Sequence, residues 1–191
     1  MNINLPRRLP QLTTDRLLLR AMRAKDAVDL FALRSDPEVM RYMDTEPFAA
    51  LKETREWIRI YRSRFRKKQG IVWALALKGT ERQVGYAGFW RLMPEHFRAE
   101  IAYALQPEFW GKGLMREAVR EVIAFGFSEM GLHSIEAAVN PGNEKSRQLL
   151  EKLHFRQEAH FRENFYFDGR FLDTIIFSLL KSDFKTVNKI E

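Results

Sequence analysis

The segment EFWGKG, from Glu108 to Gly113, has residue types that could bind an anion. It lies where a predicted strand gives way to a predicted helix, so Gly111 and Gly113 would let backbone amides approach a bound group beside a positively polarised helix end. Such a turn fits a diphosphate, although an ordinary tight turn explains the same glycines equally well. The spacing matches neither a Walker P-loop nor the three-glycine dinucleotide fingerprint.

A second segment with chemical potential is NPGNEKS, from Asn140 to Ser146. Leucines follow Ser146 at i+3, i+4 and i+7, so the serine hydroxyl is predicted on the inward stripe of a helix. An inward polar group in the first turn needs a partner. The alternative is structural: Asn143 caps the helix and Ser146 bonds only to backbone.

Glu100 is the third candidate. The segment 97–105 alternates large residues with Arg98, Glu100 and two alanines, so Glu100 points away from the bulky side of a predicted strand. It is the one carboxylate on the strand that leads into the glycine turn, where it could accept a proton. A buried ion pair with Arg98 or Arg116 is the competing interpretation.

The elements that must position these segments predict a mixed α/β fold with hairpins at both ends. Their order is one strand, two or three helices, three strands, a helix, a strand, a helix and two strands, which differs from the regular alternation of a doubly wound sheet. The predicted strands are 16–21, 71–77, 83–90, 97–105, 134–139, 155–166 and 172–180. The predicted helices are 25–35, a short one at the Asp36 and Pro37 pair, 53–68 closed by Gly70, 114–130 and 144–153.

Composition limits the chemistry. Of 191 residues, 46% are apolar and 30% charged, which is typical of a globular domain. Because the chain has no cysteine, any group-transfer chemistry cannot pass through a protein thioester. The four histidines show no metal spacing, so no metal is expected. The net charge of +7 indicates an anionic partner such as nucleic acid, a phosphate-bearing cofactor or an acidic surface.

We expect one domain over residues 11–183, with tails at 1–10 and 184–191 that lack amphipathic periodicity. No apolar stretch is long enough to span a membrane, and the N-terminus lacks the apolar core of a signal peptide. The sequence therefore predicts a cytoplasmic protein without a membrane partner.

The two segments occur together in a recognisable order. EIAYALQPEFWGKGLMREAVREVIAFGF followed by SIEAAVNPGNEKSRQLLEKLHF resembles the acetyl-CoA binding core of the GNAT N-acetyltransferase superfamily. The opening TTDRLLLRAMRAKDAVDLFALRSDPEVMRYM and the strand Asp173 to Leu179 resemble the RimJ/RimL branch of ribosomal-protein N-terminal acetyltransferases. The similarity extends over about residues 11–183.

The resemblance implies a fold and a set of site residues. The fold would be a single-domain GNAT fold, with a mixed, mostly antiparallel sheet splayed at its central strands and flanked by helices. Glu100 and Ser146 match positions of a base and of a group near the cofactor thiol. The implied cofactor contacts are Ala102, Tyr103, Ala104 and Leu105 on the splayed strand, Trp110, Gly111, Lys112, Gly113 and Leu114 at the glycine turn, and Asn140, Asn143 and Ser146.

The resemblance also implies a reaction, direct acetyl transfer from acetyl-CoA to an amine. The acceptor is expected to be a protein N-terminus, with ribosomal protein as one partner, or a small-molecule amine. Two further alternatives are a noncatalytic coenzyme A sensor and a nucleic-acid module using the basic residues 59–68, although no nucleic-acid motif accompanies them. The acceptor candidates are Tyr42, Met43, Phe48, Trp57 and Trp90, and the alternative for each of them is an ordinary place in the core. Monomer and homodimer both remain open, since an antiparallel edge strand could pair between copies.

Overall fold

The computed structural model describes residues 3–187. Its strands are β1 Leu12–Thr13, β2 Leu17–Arg20, β3 Ile71–Leu77, β4 Gln83–Met93, β5 Arg98–Leu105, β6 Ser134–Val139, β7 Arg156–Phe167 and β8 Arg170–Leu180. Its α-helices are α1 Ala27–Ser35, α2 Pro37–Met40, α3 Leu51–Arg66, α4 Leu114–Ser128, α5 Glu144–Lys152 and α6 Lys181–Val187. Short 3₁₀ turns occupy Ala24–Asp26, Pro94–His96 and Pro107–Phe109. The predicted order is confirmed, with β1 and α6 in addition.

The strands form one mixed sheet in the order β1-β2-β3-β4-β5-β6-β8-β7. Neighbours are antiparallel except β5 and β6, which run parallel. The β5–β6 ladder contains only three residue pairs and ends at Glu100 opposite Glu136. Beyond that pair the two strands diverge, which confirms the predicted splay.

Helices cover both faces of the sheet because the buried strands carry apolar residues on both sides. Trp73 and Leu75 of β3 pack in a cluster with α4 and α5, whereas Val72 and Ala74 pack in a second cluster with α1 and α3. No helix among residues 3–187 combines the length and apolarity needed to cross a membrane.

Helix starts follow the local signals of the sequence. The Asp36 carboxylate accepts hydrogen bonds from the amides of Glu38 and Val39, and Pro37 occupies the first turn of α2. The Asn143 side chain caps α5 by accepting from the Ser146 amide at 3.1 Å.

The end of α3 differs from the prediction. Lys68, with φ of 59°, takes the left-handed conformation that was expected of Gly70. Gly70 serves close packing instead, because a Cβ atom there would lie 2.8 Å from the Trp90 carbonyl oxygen. Backbone approach to β4, and not helix termination, requires glycine at this position.

Parts of the predicted tails pack on the domain. Ile3 is buried in the core, and the Asn4 amide donates to the Met130 carbonyl at 2.9 Å. Helix α6 extends into the segment 184–191, where the Phe184 ring lies 5.4 Å from that of Phe127. Residues 188–191 lie outside the described residues.

Candidate functional site

A cavity of about 960 Å³ opens where β5 and β6 diverge. Its walls come from four segments, 38–43, 103–105, 109–116 and 142–152. Because β6 leaves β5 after Glu100, one edge of β5 from Ile101 to Leu105 has no strand beside it. Backbone groups on an edge without a neighbouring strand can pair with an extended, amide-containing ligand, although the Leu105 carbonyl already accepts from the Trp110 indole at 2.7 Å.

The glycine turn presents a row of unpaired amides. Gly111 and Gly113 have φ of 72° and 75°, and Gly113 precedes the first residue of α4. Among the described residues, the backbone N–H groups from Gly111 to Arg116 have no hydrogen-bond acceptor, and the first paired amide is that of Glu117. Six consecutive donors at a helix N-terminus form a site for a diphosphate.

An anchor that the sequence analysis missed holds this turn. The Arg16 guanidinium donates to the Lys112 carbonyl at 2.8 Å and forms an ion pair with Glu117 at 2.7 Å. Burial alone would raise the pKa of Glu117, but hydrogen bonds from Thr14 and Arg16 lower it, so the pair stays charged. The sequence analysis placed Arg16 at the start of a predicted strand and assigned it no contact with the glycine turn.

Ser146 and Tyr103 face each other inside the cavity. Their hydroxyl oxygens are 2.9 Å apart, and both residues line the wall. Burial raises the pKa of Tyr103 to about 12, so its hydroxyl stays protonated at neutral pH. With the Tyr103 proton donated to the Ser146 oxygen, the serine proton is free to point at a ligand. The alternative of a serine bonded only to backbone is wrong, although the expected Asn143 cap is present.

The loop between α2 and α3 closes one end of the cavity. The Asn140 side chain accepts from the Gly142 amide at 3.0 Å and lies beside Asp44, where it opposes the increase that burial causes in the pKa of that carboxyl. Tyr42 packs so closely on Gly142 that a Cβ atom there would lie 2.9 Å from its ring. Asn140 therefore joins the loop before α5 to the α2–α3 loop.

Glu100 lies at the closed end of the splay, in a cluster of charges. Its carboxylate pairs with Arg91 at 2.8 Å, and Arg91 also reaches Glu136 at 3.1 Å. The competing interpretation, a buried ion pair with an arginine, is therefore present in the structure, although the arginine is Arg91 and neither of the two examples named, since Arg98 pairs with Glu136. The cause is a β-bulge at Trp90, which sets Arg91 opposite Glu100 in the register.

The environment raises the pKa of Glu100 above its ordinary value. Burial raises the pKa of Glu100, and the adjacent Glu136 raises it further. A hydrogen bond to Trp90 and the charge of Arg91 act in the opposite direction. A carboxyl with a raised pKa is better suited to exchanging protons than an ordinary surface glutamate.

The structure brings together most of the predicted site residues. Those on the cavity wall are Tyr42, Tyr103, Ala104, Leu105, Trp110, Gly111, Gly113, Leu114, Asn143 and Ser146. Those outside the wall are Glu100, Ala102, Lys112 and Asn140, which adjoin it along the chain, and Trp57 and Trp90. Trp57 stacks on Tyr61 with ring centroids 3.8 Å apart, and Trp90 lies beside Arg64.

Several wall residues escaped the sequence analysis. On α5, Lys145 and Lys152 face the cavity, and the Lys145 ammonium lies 3.9 Å from the Trp110 ring centroid. Glu38 on α2 and Arg41, the residue that follows α2, also face it. Lys145 and Lys152 are seven residues apart and Glu38 and Arg41 are three apart, and both spacings place two residues on the same side of a helical turn. This spacing could have been recognised in the sequence.

Comparison with known proteins agrees with this geometry. The N-acetyltransferase YoaA of Bacillus subtilis (strain 168), described as uncharacterized, is 37% identical over 172 residues, which cover 90% of this chain and 97% of YoaA. The structure of spermidine N-acetyltransferase from Vibrio cholerae in complex with CoA and spermine superimposes with a TM-score of 0.78 at 25% identity, covering 88% of this chain and 98% of that one. RimL, a ribosomal L7/L12 alpha-N-protein acetyltransferase, has a TM-score of 0.80 at 18% identity, covering 92% and 98%, and shares the fold.

The family model described as an acetyltransferase (GNAT) domain matches residues 16–156, which contain the glycine turn, the splayed strands and Ser146. That span is well over half of the chain, and the match to YoaA extends over nearly all of it. The chain therefore belongs to the GNAT family of N-acetyltransferases.

Proposed function

We propose that this GNAT enzyme transfers the acetyl group of acetyl-CoA directly to the N-terminal α-amino group of a peptide or protein, as a member of the RimJ/RimL-like branch. The observation that carries the proposal is the row of unpaired amides from Gly111 to Arg116 next to the Ser146 hydroxyl and the open edge of β5. The unpaired amides suit the diphosphate of coenzyme A, the Ser146 hydroxyl suits its thiol, and the edge of β5 suits its amide-containing arm.

Charge on the cavity wall favours a peptide over a polyamine. Four basic side chains, Arg41, Arg116, Lys145 and Lys152, line it against two acidic ones, Glu38 and Glu144. Arg116, Lys145 and Lys152 flank the proposed diphosphate site, where the cofactor phosphates offset their charge, so the 38–43 wall is left with Glu38 and Arg41. This end has no net negative charge to hold a polycation such as spermidine, whereas a peptide N-terminus carries one charge that it loses before it reacts.

In the proposed reaction the acceptor nitrogen attacks the thioester carbonyl carbon, a C–N bond forms and the C–S bond breaks. Ser146 donates a hydrogen bond to the departing sulfur as negative charge develops there. Glu100, set back from the cavity wall, accepts the amine proton through water. Acetyl-CoA supplies the activated acyl group, and the chain supplies binding, orientation and proton transfer.

The test of acceptor class is a screen of coenzyme A release, detected with a thiol reagent, against N-terminal peptides, polyamines, aminoglycosides and amino acids. Peptide acceptors should give the highest kcat/KM. Turnover confined to spermidine and related polyamines would contradict the proposed acceptor and leave acetyl transfer intact.

Acetyl-CoA is expected to raise the melting temperature of the protein, because a ligand that binds only the native state stabilises it by mass action. At a hundred times Kd the gain is about 2.7 kcal/mol, which corresponds to roughly 5–10 °C for a chain of this size. Differential scanning calorimetry measures the shift. Pantetheine, which lacks the diphosphate, is the control and should give a much smaller one; an unchanged melting temperature at millimolar acetyl-CoA would refute the cofactor assignment.

Replacing Glu100 by glutamine is expected to lower kcat about tenfold at neutral pH and to remove the acidic limb of the pH–rate profile. The reason is that a base must be ionised, so wild-type activity should fall as pH drops through the raised pKa of Glu100. Glutamine does not titrate, and this dependence disappears with it. Equal kcat in both proteins across the whole pH range would leave Glu100 a structural partner of Arg91.

A further inference from the structure

Arg34, at the end of α1, is a buried cation without an anionic partner. Only 6% of its surface is exposed. Among residues 3–187 no aspartate or glutamate forms an ion pair with its guanidinium, and its Nε atom has no hydrogen-bond partner at all. A guanidinium in such a place is unusual, because an uncompensated buried charge costs several kcal/mol.

Groups around Arg34 are weak acceptors. One Nη donates to the Met43 sulfur at 3.1 Å, the guanidinium lies 5.0 Å from the Phe48 ring centroid, and the Tyr86 hydroxyl is within hydrogen-bond reach. A thioether and an aromatic face satisfy a five-donor fork poorly. Donor capacity for a planar anion therefore remains at Arg34.

A second buried arginine of this chain, Arg20, is paired with a carboxylate and provides a comparison with Arg34. Arg20 is 2% exposed, and both of its Nη atoms bind the Asp26 carboxylate at 2.7 and 2.8 Å in a bidentate pair. Arg34 is buried to a similar degree and has no such carboxylate. The difference indicates a group that the protein itself does not supply.

Arg34 lies behind the part of the cavity wall formed by residues 38–43, which includes the acceptor candidates Tyr42 and Met43 and which we take as the acceptor end. Met43, which its guanidinium contacts, is part of the cavity wall, and so is Ala104, the cross-strand neighbour of Tyr86. The Met43 side chain is therefore the barrier between Arg34 and the cavity. Methionine has three flexible torsions and moves at low cost, so a bound ligand can displace it.

We infer that the acceptor amine carries a carboxylate, and that Arg34 binds this carboxylate in a bidentate pair once the Met43 side chain has moved aside. The inference rests on the proposed function and specifies its substrate class. The carboxylate can be the side chain of an N-terminal acidic residue or the α-carboxylate of a free amino acid. Arg41 on the cavity wall adds positive charge in the same direction.

The decisive measurement is acceptor selectivity. We compare kcat/KM for amide-capped peptides that begin with Asp or with its isostere Asn, so that only the carboxylate differs. Wild-type protein should prefer the Asp peptide about tenfold, and Arg34→Met should reduce the ratio to within about twofold. A free amino acid with a neutral side chain separates the α-carboxylate from the side-chain carboxylate, and spermidine should be the poorest acceptor.

Two variants distinguish recognition from folding. Arg62→Met removes a guanidinium that donates to the Met22 carbonyl at 2.6 Å, outside the cavity wall, and should keep the wild-type ratio. If Arg34→Met does not fold, Arg34→Gln retains polar donors on a neutral side chain and should still lose the preference. A wild-type enzyme indifferent to the carboxylate, or a folded Arg34 variant that keeps the preference, would overturn the inference.

Binding provides a readout that does not depend on turnover. Titration calorimetry of the coenzyme A-bound protein with N-acetyl-Asp and N-acetyl-Asn peptides measures the same preference on the reaction products. Carboxylate selectivity without coenzyme A release from any acceptor would contradict the proposed function and support the anion site. Coenzyme A release without carboxylate selectivity would support the proposed function and contradict the anion site at Arg34.

Discussion

Ser146→Ala should lower kcat by roughly ten- to a thousandfold while changing the KM for acetyl-CoA little. A hydrogen bond to the departing sulfur strengthens as negative charge develops, so its loss acts on the transition state more than on the bound substrate. The hydroxyl lies on the cavity wall, and its backbone amide is already paired with Asn143, so removing the oxygen leaves the helix cap in place. Steady-state kinetics and thermal unfolding on the same protein measure both effects.

Tyr103→Phe gives the matched comparison. This change removes the hydroxyl 2.9 Å from Ser146 and keeps the ring. If Tyr103 orients the serine proton, its loss should reduce kcat in the wild type and add little in the Ser146→Ala background, because the two hydroxyls act as a unit. A Ser146→Ala protein with lowered stability and wild-type kcat would instead assign the serine to the first turn of α5.

Local patterns sufficed for much of the fold. The apolar, β-rich run of β3 and the alternation in β5 predicted those two strands, and Asp36 and Asn143 predicted two helix starts. Helices on both faces of the sheet follow from strands that are apolar on both sides. His154, which follows α5, has φ of 65°, and histidine is one of the non-glycine residues enriched in this left-handed region. All these signals lie within a few residues of the feature they determine.

Contacts that depend on strand register, or on segments far apart in the chain, could not be predicted from the sequence. One bulge at Trp90 moves Arg91 opposite Glu100 and thereby changes the ion-pair partner, and a bulge leaves no distinctive pattern in residue types. An arginine at the end of a short helix is typical of the protein surface. Arg34 is buried because the loop 41–50 folds over it, and neither this burial nor the absence of a carboxylate beside it among residues 3–187 can be inferred from the sequence around it.

The glycine turn was recognised for the property that matters, backbone conformation. Gly111 and Gly113 both have positive φ, and the amides they position are unpaired. What the residues alone left open was whether the turn faces a cavity. The structure answers this through long-range packing, since the opposite wall comes from α2 and α5.

Gly113→Val should weaken acetyl-CoA binding roughly tenfold to a hundredfold. A β-branched residue is strongly disfavoured at φ of 75°, so the backbone will rotate and the amides from Gly113 to Arg116 will no longer converge on one anion. The protein leaves room for the new Cβ, which would meet only an Arg16 nitrogen at 3.5 Å. Steric conflict within the fold is therefore not the cause of the loss, and titration calorimetry with coenzyme A reports it directly.

Gly169→Val is the control that separates strain from ligand binding. Gly169 lies in the turn between β7 and β8 and has φ of 77°, and a Cβ atom added there would meet no other atom within 4 Å, so the substitution imposes comparable backbone strain away from the cavity. Both variants should lose similar stability, since each forces a valine out of its preferred region. Only Gly113→Val should lose affinity. Equal affinity in the two folded variants would make EFWGKG an ordinary turn and remove the diphosphate from that site.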